Sequence, residues 1–209
     1  MASFDGRSGS NDRALISSDN SHATAVGMAT ADEAVETSGD DFASDDFFTP
    51  TYYIRRSVME FDLTSVPANS TISSATLKIV FNGVTGDTNN MSVNVFHFTR
   101  GSTVATAFEA ADFNEAVGTA ACDTPKDITG LTGSQTYTLN AAAITYLQSK
   151  CGGYADFSGR ISGDYTPTTS TGQNLINAYR GTDATESNRP RLEFTYEPPH
   201  SGGFYHMSV

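Results

Sequence analysis

The chain has 209 residues, 38% of them hydrophobic, with 13 Phe and 9 Tyr but no Trp, and carries 24 acidic against 12 basic side chains for a formal net charge of −12. Such a charge repels nucleic acid and anionic membranes, and so argues against both as partners, while it suits a cation or a cationic protein surface. No stretch reaches the roughly 18 apolar residues of a membrane span. The start lacks the basic-then-apolar order of a secretory signal, so a chain made without Sec-type export and not inserted in membrane is expected.

Residues 1–20 are rich in Ser, Gly, Asn and Asp and read as a flexible or partner-ordered arm. An acidic lead-in follows over 21–51, with a helical turn expected in ADEAVE. No Lys or Arg falls between Arg13 and Arg55, while Asp19, Asp32, Glu33, Glu36, Asp40, Asp41, Asp45 and Asp46 all do. From Tyr52 a period of two takes over. Met59, Phe61 and Leu63 alternate with Glu60 and Asp62. Ala75, Leu77, Ile79 and Phe81 then share one face, and in MSVNVFHF the pairs Val93/Val95 and Phe96/Phe98 cover both faces. Tyr137 and Leu139, then Leu192, Phe194 and Tyr196, repeat the pattern. This alternation is that of half-buried strands, and the runs are separated by VPANS, NGVTGDTNN, LTGSQ, CGGY and SNRP. One helix is predicted over Leu139–Lys150, with Asn140 as N-cap and Gly152–Gly153 as stop, and a second, shorter one in FEAADFNEA. An all-β chain follows: an antiparallel β-sandwich or jelly roll with one or two short helices, its single domain spanning 21–197.

The segment EFDLTSVPANSTISSATLKIV supplies Phe61, Asp62, Leu63, Pro67, Ile72, Ala75 and Leu77, and NRPRLEFTYEPP supplies Arg189, Pro190, Leu192 and Tyr196. Together they resemble the signature of DNRLRE or disaggregatase-related domains, over roughly Tyr52 to Glu197. The resemblance implies a β-sandwich shaped like a carbohydrate-binding module, of a kind found in secreted surface proteins and in tailed-phage structural proteins. The Trp usual in the family's middle section has no counterpart here. In physical terms the motif builds a scaffold: Phe61 and Leu63 point inward, Asp62 bonds turn amides, and Pro67 fixes the connection.

Chemistry-bearing patterns are sparse. Asp112, Glu115 and Asp156 are the acids available for glycoside hydrolysis, and no spacing selects a pair among them. There is no GxSxG, and His22, His97, His200 and His206 lie in tails or in a strand, so no catalytic residue is assigned. SGDDFASDD and GDTNN offer oxygen ligands of the kind Ca²⁺ takes, without EF-hand spacing, and read first as solvated loops; no metal or other cofactor is assigned. Cys122 and Cys151 are either free buried thiols or one disulfide. Tyr52, Tyr53, Tyr154 and Tyr165 are the candidate sugar-stacking or protein-docking residues. Residues 198–209 form a candidate docking tail, in which Phe204, Tyr205, His206 and Met207 follow a flexible SGG. The expectation is a non-enzymatic virion component, decorating a head or belonging to a fibre or adhesin. Its partners are other particle proteins, further copies of itself or a surface carbohydrate. A secreted carbohydrate-binding module and a self-assembling filament subunit are the alternatives.

Overall fold

A computed structural model describes residues 1–35, 41–86, 91–166 and 171–199. The chain runs through β1 (Ala2–Arg7), β2 (Arg13–Asp19), α1 (His22–Val26), β3 (Glu33–Val35), β4 (Asp41–Phe48) and β5 (Thr51–Asp62). It continues through β6 (Thr71–Gly86), β7 (Ser92–Phe98), β8 (Thr119–Ala120), β9 (Lys126–Asp127), β10 (Gly133–Thr138), α2 (Ala141–Lys150), β11 (Tyr154–Ile161), α3 (Ser162–Tyr165), β12 (Asn174–Ala178) and β13 (Arg191–Glu197). Every strand pairing is antiparallel. The strand order is β1-β13-β6-β12-β4-β5-β11-β7-β8, with β10 also on β6, β2 on β3 and β5, and β9 on β7. The fold is all-β and sandwich-like, with short helices, as the alternation predicts.

The two longest strands set the layers. On β6, Ala75, Leu77, Ile79 and Phe81 are buried, and they meet Met59, Phe61, Val93, Val95 and Phe157 in one apolar core. Burying a Phe side chain of this kind contributes about 1.5–3 kcal/mol. The turn after β5 is built as the motif suggests: Asp62 accepts hydrogen bonds from the Thr64 amide at 2.8 Å and its hydroxyl at 2.6 Å. Ser70 then closes the loop on the Pro67 carbonyl. Asn140 caps α2 by accepting from the Ala143 amide at 3.0 Å, and Tyr146 and Leu147 of that helix are buried.

Four expectations are corrected. Residues 1–20 are not an arm: β1 pairs with β13 from Ala2↔Tyr196 to Arg7↔Arg191, and β2 pairs with β5. The ADEAVE segment contributes strand β3, not a helical turn. FEAADFNEA makes two single 3₁₀ turns, Ala110–Phe113 and Glu115–Val117. Within the acidic lead-in, Asp45 and Asp46 are fully buried on β4, not in a solvated loop. Cys122 and Cys151 are both free and buried.

Candidate functional site

Strand β5 is buried on both faces. Its odd positions, Met59 and Phe61, enter the main core, whereas Ile54, Arg56, Val58 and Glu60 point to the opposite side and are buried as well. That second side is covered by α1 and by the segment 99–118, whose Phe108, Phe113 and Ala116 join Leu15, Ile54 and Val58 in a smaller apolar cluster. Three arginines and three carboxylates are enclosed beneath this cover.

Arg56 is 0% exposed. Its Nε and Nη2 donate to the two Asp164 carboxylate oxygens at 2.9 and 2.6 Å, while Nη1 donates to the carbonyl of Phe113 and Nη2 also to that of Val26. The guanidinium also lies 3.8 Å from the Phe113 ring centroid. Arg160 donates from Nε to Asp164 at 2.7 Å and from Nη1 to the Val117 carbonyl. Burial alone would push the Asp164 carboxyl up, but the hydrogen bonds and charges of Arg56 and Arg160 hold it below the ordinary carboxylate range. Gly163 is required here, because a Cβ at that position would fall 1.8 Å from the Asp45 carboxylate.

The second group centres on Arg100, which bridges Glu60 and Asp156 and lies 3.8 Å over the Phe108 ring. These two acids face each other across the β5–β11 ladder. Glu60 further accepts from the Asn11 side chain at 2.6 Å and from the Ala105 amide at 2.9 Å. The Asp156 amide donates to the Tyr146 hydroxyl, which itself donates to the Phe98 carbonyl. Desolvation raises Asp156 to about 6 despite the Arg100 charge. A third pair joins His22 to Asp45 at 3.2 Å, and Asp45 is raised to about 6 by burial. Asp46 is bound by Arg55 at 2.5 Å and by the Asn174 amide at 2.8 Å. Nearby, Asp12 is pushed up to about 7 by burial, even though it accepts from the amides of Glu60 and Gly181.

Buried charges require partners because desolvation is costly, and here the partners come from distant segments of chain. The arrangement clamps the cover onto the sheet. It can also hold protons near neutral pH, but its acids face arginines and backbone groups. Among the described residues, no three His, Cys, Asp or Glu side chains converge in metal-ligand geometry.

The candidate tyrosines do not converge. Tyr52 packs against Phe47 and His22, with ring centroids at 4.5 and 5.3 Å, and Tyr53 meets Phe48 at 6.0 Å. Tyr154 lies opposite Asp62 at the other end of β5, about 33 Å away along an extended strand. Tyr165 bonds Ser92 at 2.7 Å and packs on Phe96. All four are half-buried. Phe204, Tyr205, His206 and Met207 lie outside the described residues. Of the acids singled out for glycoside hydrolysis, Asp112 accepts from Ser102 and from the Glu109 amide, and Asp156 is held by Arg100. His97 stacks on Tyr146 at 4.5 Å, and burial lowers its pKa.

A separate open groove of about 400 Å³ lies on the outer face of β1, β13 and β6, lined by Ser3, Asp5, Ser74, Thr76, Arg191 and Thr195 among others.

Compared with known proteins, the chain matches no family model and no curated sequence at a significant level.

Arg56, Arg100 and Arg160 are not among the residues that the sequence pattern singles out. The available signal was two adjacent acids in a strand-like run, DFASDDFF, and an arginine pair opening an apolar strand in YYIRRSVMEF.

Proposed function

We propose that the chain is a non-enzymatic structural subunit of an extracellular particle, of the kind its DNRLRE-like residues suggest for tailed-phage virions. Head decoration, a fibre or an adhesin are the roles that fit. The observation that carries this reading is the sealed charged layer on β5. Arg56, Arg100 and Arg160 bind carboxylates and loop carbonyls beneath a cover, an arrangement that favours a fixed shape over a reacting cleft. Quantitative mass spectrometry of purified particles from the source culture tests it. A fixed ratio to a major capsid protein is expected, and complete absence from particles overturns the reading.

The groove on β1, β13 and β6 favours a second reading, a carbohydrate-binding module. Its hydroxyls and charged groups suit a polyol, and Phe4 and Phe194, stacked at 4.7 Å, are also among its lining residues. Saturable binding on a glycan array, lost in Thr76→Val/Thr195→Val, supports that reading, and no binding to any glycan removes it.

A further inference from the structure

Strand β1 ends the sheet path, and among the described residues no strand pairs with its outer edge. The Ser8 amide donates to the Pro190 carbonyl at 3.0 Å, which continues the β1–β13 register as a hydrogen-bonded pair. Antiparallel ladders alternate such pairs with non-bonded ones. Hence Gly6, Phe4 and Ala2 direct their backbone groups to β13, and Ser3, Asp5 and Arg7 direct theirs to the free edge. The edge has no proline and no bulge, two common devices that blunt such a row.

The charges on this edge are unusual. In the register with β13, Arg7 lies across from Arg191 and Asp5 across from Glu193. Like charges directly opposite destabilise a pair, and they are offset by ion pairs within the chain: Arg191 with Asp5 and Glu193, Arg7 with Asp5 and Glu186, and Lys78 with Glu193. A second β1 placed antiparallel, with Gly6 at the two-fold axis, sets Asp5 of each copy across from Arg7 of the other. Both are edge-facing residues, so the charged pairs coincide with main-chain hydrogen bonds. Gly6 brings no side chain to the axis, where the strands approach most closely. Centring on Asp5 instead would oppose two aspartates.

We infer that two copies of this chain associate through β1, in this register, to form one continuous sheet across a two-fold axis. The interface is independent of where the protein resides, so its failure leaves the particle reading standing, and the reverse holds too.

Sedimentation equilibrium of the full chain tests the pairing with two charge variants. The wild type is expected to show a reversible monomer–dimer equilibrium. Arg7→Asp alone and Asp5→Arg alone each oppose like charges twice, and each raises the dissociation constant about tenfold or more. Mixed one to one, they restore every charge pair, and a heterodimer of at least wild-type affinity forms. A wild type that stays monomeric, a mixture no tighter than its components, or an open polymer overturns the inference. Should either variant fail to fold, hydrogen exchange of the wild type decides. The amides of Asp5 and Arg7 slow as concentration rises if the edge pairs, and unchanged rates overturn the pairing.

Discussion

Two regions meet on strand β5, and they are held together by different physics. On one face Met59 and Phe61 enter an apolar core shared with β6, β7, β11 and α2. On the other, Arg56 and Glu60 enter a layer in which charges are buried in company with Ile54, Val58, Phe108 and Phe113. The apolar side tolerates many arrangements of similar volume, because dispersion and desolvation have little direction. The charged side tolerates few. Each guanidinium there needs its carboxylate and its carbonyls in fixed positions, which makes that side the more specific and the less forgiving.

The sharpest way to probe the contrast is to remove one side chain from each face. Phe61→Ala leaves a cavity among Phe157, Leu77 and their neighbours, and a loss of about 3–5 kcal/mol is expected in denaturant unfolding, nearly independent of pH. Arg56→Met leaves Asp164 with only part of its compensation, at a cost of about 3–5 kcal/mol. Arg56→Lys keeps the charge without the two-pronged geometry and recovers part of that loss. If Arg56→Met were neutral, the layer would contribute no stability.

The pH dependence separates the faces further. Asp12, Asp45 and Asp156 titrate in the fold near 7, 6 and 6, above the ordinary value of 3.8. Between these values the folded chain holds protons that the unfolded chain releases, so stability rises as pH falls from about 7 toward 4. Asp164 works in the opposite sense: its lowered pKa gives stability that is present above 3.8 and lost as pH falls through the folded value. Thermal unfolding from pH 8 down to 3 therefore passes through a maximum at about pH 4, where the rise from the three raised acids ends and the loss at Asp164 sets in. Asp12→Asn flattens the rise on the alkaline side, and an unchanged profile in that variant excludes Asp12 as a contributor.

The smallest effect lies outside both faces. Asp62→Ala removes the turn bonds to Thr64 and costs about 0.5–1 kcal/mol in the same unfolding measurement.

The apolar face was legible in the sequence because its signal is local. Leu77, Ile79 and Phe81 alternate within six residues, and the FDL-to-Pro67 turn carries its own hydrogen-bonding residue. Residue Asn140 likewise announces α2. The charged layer was not legible in the same way. Glu60 alternates with Met59 and Phe61 just as a solvent-facing residue would, and it is the segment 99–118, which has no periodicity, together with Asn11 and Asp12 that encloses it. Arg56 meets Asp164 across 108 positions, and no local pattern encodes such a pairing. Strand β1 was missed for a related reason: Phe4 is its sole large apolar residue, and its order comes from β13 at the far end of the chain.

That last pairing has a kinetic consequence. The contact between Asp5 and Arg191 spans 186 positions, and folding rates fall as the average separation of native contacts grows. During synthesis β1 therefore stays unpaired until β13 has emerged, and Arg56 stays without Asp164 until α3 has. Closure is expected as a slow event late in folding, measured in milliseconds to seconds, with β1 the final strand to dock.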